Sequence, residues 1–166
     1  MNKTIKIFFL FFFASLVISS SCNKKEGCTN PKAENFDPTA EREDGSCIGQ
    51  RAKFLGLYQA LDQCGTGQEQ YLVEIKASNI TLDEILIFNL TKSFSNGVHR
   101  TYNNPVVATI INSKLSFDYQ MPDADGVYIT EGKGTIIGNE ITMSFKIIGG
   151  NGSGPPPVFC TSLMTK

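Results

Sequence analysis

Three stretches of this 166-residue chain alternate apolar and polar residues with a period of two. Tyr71, Val73, Ile75 and Ala77 oppose Glu74 and Lys76. Leu115, Phe117, Tyr119 and Met121 oppose Ser116, Asp118 and Gln120. Ile141, Met143, Phe145 and Ile147 oppose Thr142, Ser144 and Lys146. Successive side chains of an extended strand point to opposite faces, so each stretch builds one apolar and one wet face. Antiparallel sheets with a one-sided core show this pattern. No long helix is expected, and residues 50–55 are the best place for a single turn of one.

Turn signals separate the strands. Asn112-Ser113 and Gly138-Asn139 each suit a two-residue hairpin, Asn96-Gly97 is the sharpest signal, and Asp123-Ala124-Asp125-Gly126 supplies another. The expected strands are 56–63, 70–78, 84–91, 98–102, 106–111, 115–121, 127–137 and 140–148, with a ninth candidate at 158–165. Eight or nine strands in residues 54–166 predict an all-β domain, a small antiparallel up-and-down barrel, with a two-sheet sandwich as the competing fold. Cys64 ends the first strand and Cys160 lies in the last, and those strands are neighbours in a closed barrel.

The N-terminus carries an address. Lys3 and Lys6 precede an apolar run, Ile7–Ile18, broken only by Ser15. As a helix this run reaches roughly 18 Å, short of a hydrocarbon core of ~30 Å, so residues 1–21 read as a secretory signal. Ser19-Ser20-Ser21-Cys22 then resembles the lipobox of bacterial lipoproteins, with Ser19 where Leu is usual. The resemblance implies cleavage before Cys22, acylation of its sulfur and a tether at 22–27. Membrane lipid, reached through the acyl chains, is the implied partner, each buried CH₂ contributing ~0.8 kcal/mol. The implied location is the bacterial cell envelope, at the outer membrane, with its periplasmic or surface face open. Fifteen basic and sixteen acidic residues give the whole chain a net charge of −1, and loss of Lys3 and Lys6 takes the mature chain to −3. That excludes a generic basic nucleic-acid binder.

Five cysteines are an odd number for an exported chain. Acylation of Cys22 accounts for one. An oxidising compartment favours pairing Cys28, Cys47, Cys64 and Cys160. Of the three connectivities, Cys28–Cys47 with Cys64–Cys160 keeps each pair inside one apparent unit. A metal site is weakly supported, since no C-x-x-C occurs and His99 is far from every Cys.

Residues 28–47 form a Cys-bounded microdomain, followed by a linker at 48–53. Turn formers fill it, Phe36 is its only large apolar residue, and a disulfide closing it would supply ~3 kcal/mol. Gly27, Cys28, Thr29, Pro31, Ala33, Asn35, Pro38, Ala40, Asp44, Gly45, Ser46 and Cys47 match a Cys-rich repeat that the segment resembles, common in exported proteins of Bacteroidetes. The resemblance implies an extracytoplasmic module with no assigned activity. Glu34, Asp37, Glu41, Glu43 and Asp44 against Lys32 and Arg42 raise calcium as a ligand, but no D-x-[DN]-x-[DN]-G loop is present. A solvated, disulfide-held turn is the expected reading, with no resident cofactor.

In residues 54–166, Phe54-Leu55-Gly56-Leu57-Tyr58, the Gly132–Thr142 stretch and the terminal Cys160–Lys166 resemble lipocalin-like domains of Bacteroidetes lipoproteins. Tyr58 stands where lipocalins carry Trp. The resemblance implies an eight-stranded barrel, with ligand binding as one use of it.

No catalytic constellation emerges. His99 is the single His, and the G-x-S-x-G, P-loop and H-E-x-x-H patterns are absent. Asp123 and Asp125 are turn formers before they are an acid–base pair. Tyr71, Phe117, Tyr119 and Phe145 are the candidates to line a ligand cavity or to fill the barrel, whose eight strands leave an interior that side chains can just occupy. The Gly149–Pro157 stretch reads as a connector. The expected function is non-catalytic, a membrane-anchored binding or scaffold module. The alternative is a lipocalin-type carrier of a small apolar ligand. Protein partners are not legible.

Overall fold

Alternation becomes pairing along the whole main domain of the computed structural model, which describes residues 24–92, 100–149 and 156–166. The chain divides into two compact units. One takes in the chain up to Pro31 and Asn35–Cys47. The other takes in Lys32–Glu34 and Ile48–Lys166.

In the first unit, β1 (Glu26–Gly27) and β2 (Arg42–Glu43) form a short parallel pair. Cys28 and Cys47 are disulfide-bonded, 19 residues apart. Side chains bonded to nearby backbone do the rest. Glu43 accepts from the N–H and hydroxyl of Thr29, both at 2.9 Å, and Asp44 accepts from the N–H of Ser46 at 2.9 Å.

In the second unit, eight strands close into an antiparallel barrel. They are β3 (Gly56–Cys64), β4 (Gly67–Ala77), β5 (Glu84–Phe88), β6 (Val106–Ile111), β7 (Lys114–Phe117), β8 (Val127–Ile137), β9 (Glu140–Gly149) and β10 (Val158–Thr165). Each pairs with the next in sequence, and β10 returns to β3, so the topology is up-and-down and the two-sheet sandwich is excluded. The closing pair sets Cys160 directly opposite Cys64, and the two are bonded with their Cα atoms 4.1 Å apart.

One end of the barrel is stoppered by a 3₁₀ helix over Gln50–Phe54, the site expected for a helical turn. It drives Phe54 into the core, where the carbonyl of Phe54 accepts the hydroxyl of Tyr58 at 2.8 Å. Burial pushes the Tyr58 phenol up to about 12.

Two departures from the expected strands have local causes. The expected strand 98–102 begins outside the described residues, and its described part, 100–102, supplies no barrel strand: Thr101 makes an isolated bridge to Thr91, and Val158–Thr165 takes the eighth place instead. The backbone amides of Asn103 and Asn104 go to Asp123, and Pro105 has no N–H to give to a ladder. Asn96-Gly97, His99, Cys22 and the expected signal at 1–21 lie outside the described residues. Strand β7 stops at Phe117, four residues short of the expected end. The side-chain amide of Gln120 donates to the carbonyl of Val107 at 2.6 Å, and its oxygen accepts the Val107 N–H at 2.9 Å, a place a ladder partner would take.

Strand β8 carries a bulge between Thr130 and Lys133, with Glu131 at φ 56°. The bulge turns Gly132 inward, directly opposite Phe117.

Candidate functional site

The barrel interior is the first place to look, because three of the four expected lining residues meet there. Phe117 and Phe145 are buried in the core, and Tyr71 packs against it. Tyr71 donates its hydroxyl to the carboxylate of Asp62 and accepts the N–H of Thr91 at 3.1 Å. Burial, then the charge of Asp62 and the hydrogen bond to it, hold the Tyr71 phenol far above its ordinary value. Tyr119 is the exception. It is 60% exposed and stacks on Tyr128, ring centroids 4.7 Å apart, because regular pairing of its strand has ended two residues earlier. Met121, expected on the same face, is also exposed.

The interior is filled along much of its length. Tyr58, Ala60, Val73, Ile85, Ile87, Ile129 and Ile141 all have 0% exposure, so no sphere the size of a water molecule touches them from any side, inside included. An eight-stranded interior can be filled by side chains or can hold one small ligand, and at these positions side chains fill it.

Sequence reasoning missed two buried charged groups. Asp62 stands in the inward register of β3, between Ala60 and Cys64, and that parity was the signal that could have found it. Lys92 follows β5 in an irregular connection and gave no signal. Its ammonium lies 2.6 Å from Asp123 and 2.8 Å from Asp125, and 5.4 Å from the centroid of the Tyr102 ring. Asp123 also accepts the backbone N–H groups of Asn103 and Asn104, each at 3.0 Å.

Burial alone would lower the Lys92 pKa, but the hydrogen bonds it donates to Asp123 and Asp125 outweigh burial and raise it. Burial likewise favours the uncharged form of Asp123, and Lys92 with the two backbone amides reverses it, so its pKa falls below the ordinary 3.8. Asp123 and Asp125 thus share one lysine, which ties the 121–126 turn to the chain around 92 and 103.

The carboxylates of the microdomain are also engaged. Asp37 accepts from Lys25 and from Thr39, and these bonds, that from Lys25 first, hold it well below the carboxylate range. Glu43 lies close to Cys28 and Cys47, but both sulfurs are in the disulfide and cannot act as thiolate ligands.

A groove of about 880 Å³ lies elsewhere, lined by outward residues of β6 to β10, β3 and β4, with Ile111 and Gln68 among them. Two cross-strand rows of outward side chains line it. One runs Lys114, Thr135, Thr142, Leu163, Leu61, and the other Ser116, Lys133, Ser144, Thr161, Gln63. None of the four residues expected to contact a ligand lines it.

No protein-family profile matches the chain. Short stretches match chloroplast ribulose bisphosphate carboxylase/oxygenase activases. The match to the Arabidopsis thaliana protein is 70% identical over 23 residues, 14% of this chain and 5% of that protein. That to the Spinacia oleracea protein is 47% identical over 36 residues, 22% of this chain and 8% of that protein. This chain therefore spans under a tenth of the activases it matches, and such stretches show no family. A crystal structure from Bacteroides fragilis, of a protein provisionally described as an outer membrane protein, superposes with a TM-score of 0.45 at 19% identity. It covers 72% of this chain, which in turn spans 54% of that one, and a likeness at this level assigns neither family nor function.

Proposed function

We propose that this protein is an exported lipoprotein of the bacterial cell envelope, held to the outer membrane by acyl chains on Cys22, and that its barrel serves as a non-catalytic binding or scaffold module. The filled barrel is the observation that carries the module reading. A carrier needs a cavity for its cargo, whereas here inward side chains occupy the space themselves. The inward-cavity carrier is therefore the weaker reading, and a binding role falls to the outer face.

Cysteine bookkeeping supports the anchor. Four of the five cysteines are paired in disulfides, which leaves Cys22, at the end of the apolar leader, for acylation. Asp123 and Asp125 are held by Lys92 and do not stand as an acid–base pair. Calcium at 28–47 remains outside the proposal, since Asp37, Glu43 and Asp44 already bond neighbouring groups.

The test is fractionation of cells expressing the whole chain and its Cys22→Ser variant. The expected result is a shift of the variant from the membrane to the soluble fraction, with the loss of an acyl mass from the N-terminal peptide. Membrane retention of the variant would remove the anchor.

A further inference from the structure

The stoppered end of the barrel is rimmed with apolar tips. Antiparallel order brings three strand connections to that end, at 78–83, 112–113 and 138–139. Each holds an isoleucine in it or at its edge: Ile80 is 83% exposed, Ile111 65% and Ile137 80%. Two inter-strand steps separate each connection from the next, and Leu57, exposed near the start of β3, stands in the remaining quarter. At the opposite end the Gly65-Thr66 turn carries no large apolar side chain, and the exposed rings have neighbours. Tyr119 stacks on Tyr128, and the Lys146 ammonium lies 5.4 Å from the centroid of the Phe159 ring. Single exposed aliphatic residues are ordinary on a protein surface; one at every connection of one end is not.

The chain also enters the barrel's unit at this end. Lys32–Glu34 are the first residues of that unit, and Lys32 is ten residues after Cys22. Lys32 pairs with Asp83 at 3.3 Å, Ala33 bridges to Gly49, and Lys53 pairs with Glu34 at 3.0 Å, all at the 3₁₀ helix or the 78–83 connection. Ten extended residues reach at most about 36 Å, so an acylated Cys22 keeps this end within that distance of the bilayer.

We propose that the stoppered end docks on the membrane that carries the acyl chains, with Ile80, Ile111 and Ile137 entering the headgroup layer. The proposal rests on the lipid anchor. Geometry selects a lipid surface over a protein partner. Tips on four sides of a rim share no common face, so a folded partner would reach one or two of them, whereas lipids flow round each. Lys114 stands directly opposite Ile111 and suits the phosphate level, and Glu140 opposite Ile137 keeps the tips out of the hydrocarbon centre. Stable attachment takes two signals, and three aliphatic tips without acyl chains hold weakly. Docking therefore orients the barrel and does not replace the anchor.

The experiment uses the whole lipoprotein, purified from membranes of the expressing cell. It is reconstituted in vesicles of phosphatidylethanolamine and phosphatidylglycerol that contain a phospholipid with a diazirine high on its acyl chain. Labelled residues are mapped by peptide mass spectrometry, which also weighs the N-terminal peptide for acyl groups. The expected result is labelling at 80–82, 111–114 and 137–139 that persists at high salt. Ile80→Ser, Ile111→Ser and Ile137→Ser together should lower the labelling of 112–114 and 138–139 roughly tenfold or more. The thermal melt should stay at the parent value, because the three side chains are outside the core.

Labelling confined to residues around Cys22, or rim labelling that the triple variant keeps, overturns the docking and leaves the anchor standing. Labelling along β3 and β10 at Leu61 and Leu163 in place of the rim overturns it too, since the barrel would then lie on its side. Rim labelling of a chain without acyl mass supports the docking and removes the anchor. Neither acyl mass nor rim labelling overturns both.

Discussion

Phe117 fills the space that a side chain at Gly132 would need: a Cβ on Gly132 would lie 2.0 Å from the ring's Cζ. The two residues are directly paired across β7 and β8, and the bulge at Glu131 is what points Gly132 inward. Gly132→Ala therefore overpacks the core, and a loss of about 1–3 kcal/mol is expected in urea denaturation. Phe117→Leu in the same background should recover part of it. Gly138→Ala is the control. Gly138 has φ 60° with nothing within 4 Å of a built Cβ, so its cost is backbone strain alone, about 1–2 kcal/mol, and no core substitution should rescue it.

Lys92 and Asp123 form a nearly dry ion pair, with side chains 8% and 6% exposed. Removing one partner leaves the other charge buried and unpaired. Lys92→Ala should cost about 3–5 kcal/mol, whereas the joint replacement Lys92→Met with Asp123→Asn, whose amide oxygen still accepts the N–H groups of Asn103 and Asn104, should cost less. A double-mutant cycle in urea measures the coupling. Additive single and double effects would mean that the pair does not act as a unit.

The same pair sets a pH dependence. Asp123 has a folded pKa below its ordinary 3.8, so the stability it contributes is present above 3.8 and is lost as pH falls through the lower folded value. Lys92 has a folded pKa above 10.5, so its contribution is present below 10.5 and is lost as pH rises through the higher folded value. Stability measured below about pH 4 should fall less steeply in the variant carrying both Lys92→Met and Asp123→Asn than in the parent. Equal slopes would place the acid sensitivity elsewhere.

What was legible in the sequence was whatever repeats. Period-two alternation located most of the strands, and Cys64 and Cys160 at the domain's two ends signalled closure. The bulge, the buried Lys92 and the end of β7 were not legible, because each depends on a tertiary partner. Gly132 needs Phe117, Lys92 needs Asp123 from 31 residues away, and Gln120 substitutes a side chain for a ladder partner. Tyr119 keeps the alternation of Phe117 in sequence, yet the chain has left the sheet by then. The groove was hidden for a different reason: most of its residues occupy the polar, outward positions, which a search for a core discards.

The two disulfides should differ sharply in what their loss does to the barrel. Cys64–Cys160 spans 96 residues and joins the strands that close the barrel, at the end of their shared ladder. Without it, the unfolded chain regains the freedom of a loop of that length, an effect of about 4.7 kcal/mol in the chain-entropy model. Cys28–Cys47 spans 19 residues and belongs to the other compact unit. Its chain-entropy effect of about 3 kcal/mol acts on that unit's own unfolding. Cys64→Ser with Cys160→Ser should therefore lower the barrel's urea midpoint strongly. The remaining pairing of β3 with β10, from Gln59–Thr165 to Gln63–Thr161, should still hold the strands together in the native state. Cys28→Ser with Cys47→Ser should leave the barrel's midpoint near the parent value while making the microdomain sensitive to proteolysis. Following tyrosine fluorescence for the barrel and limited proteolysis for residues 28–47 separates the two. Equal shifts of the barrel midpoint in both double variants would show that the units unfold together.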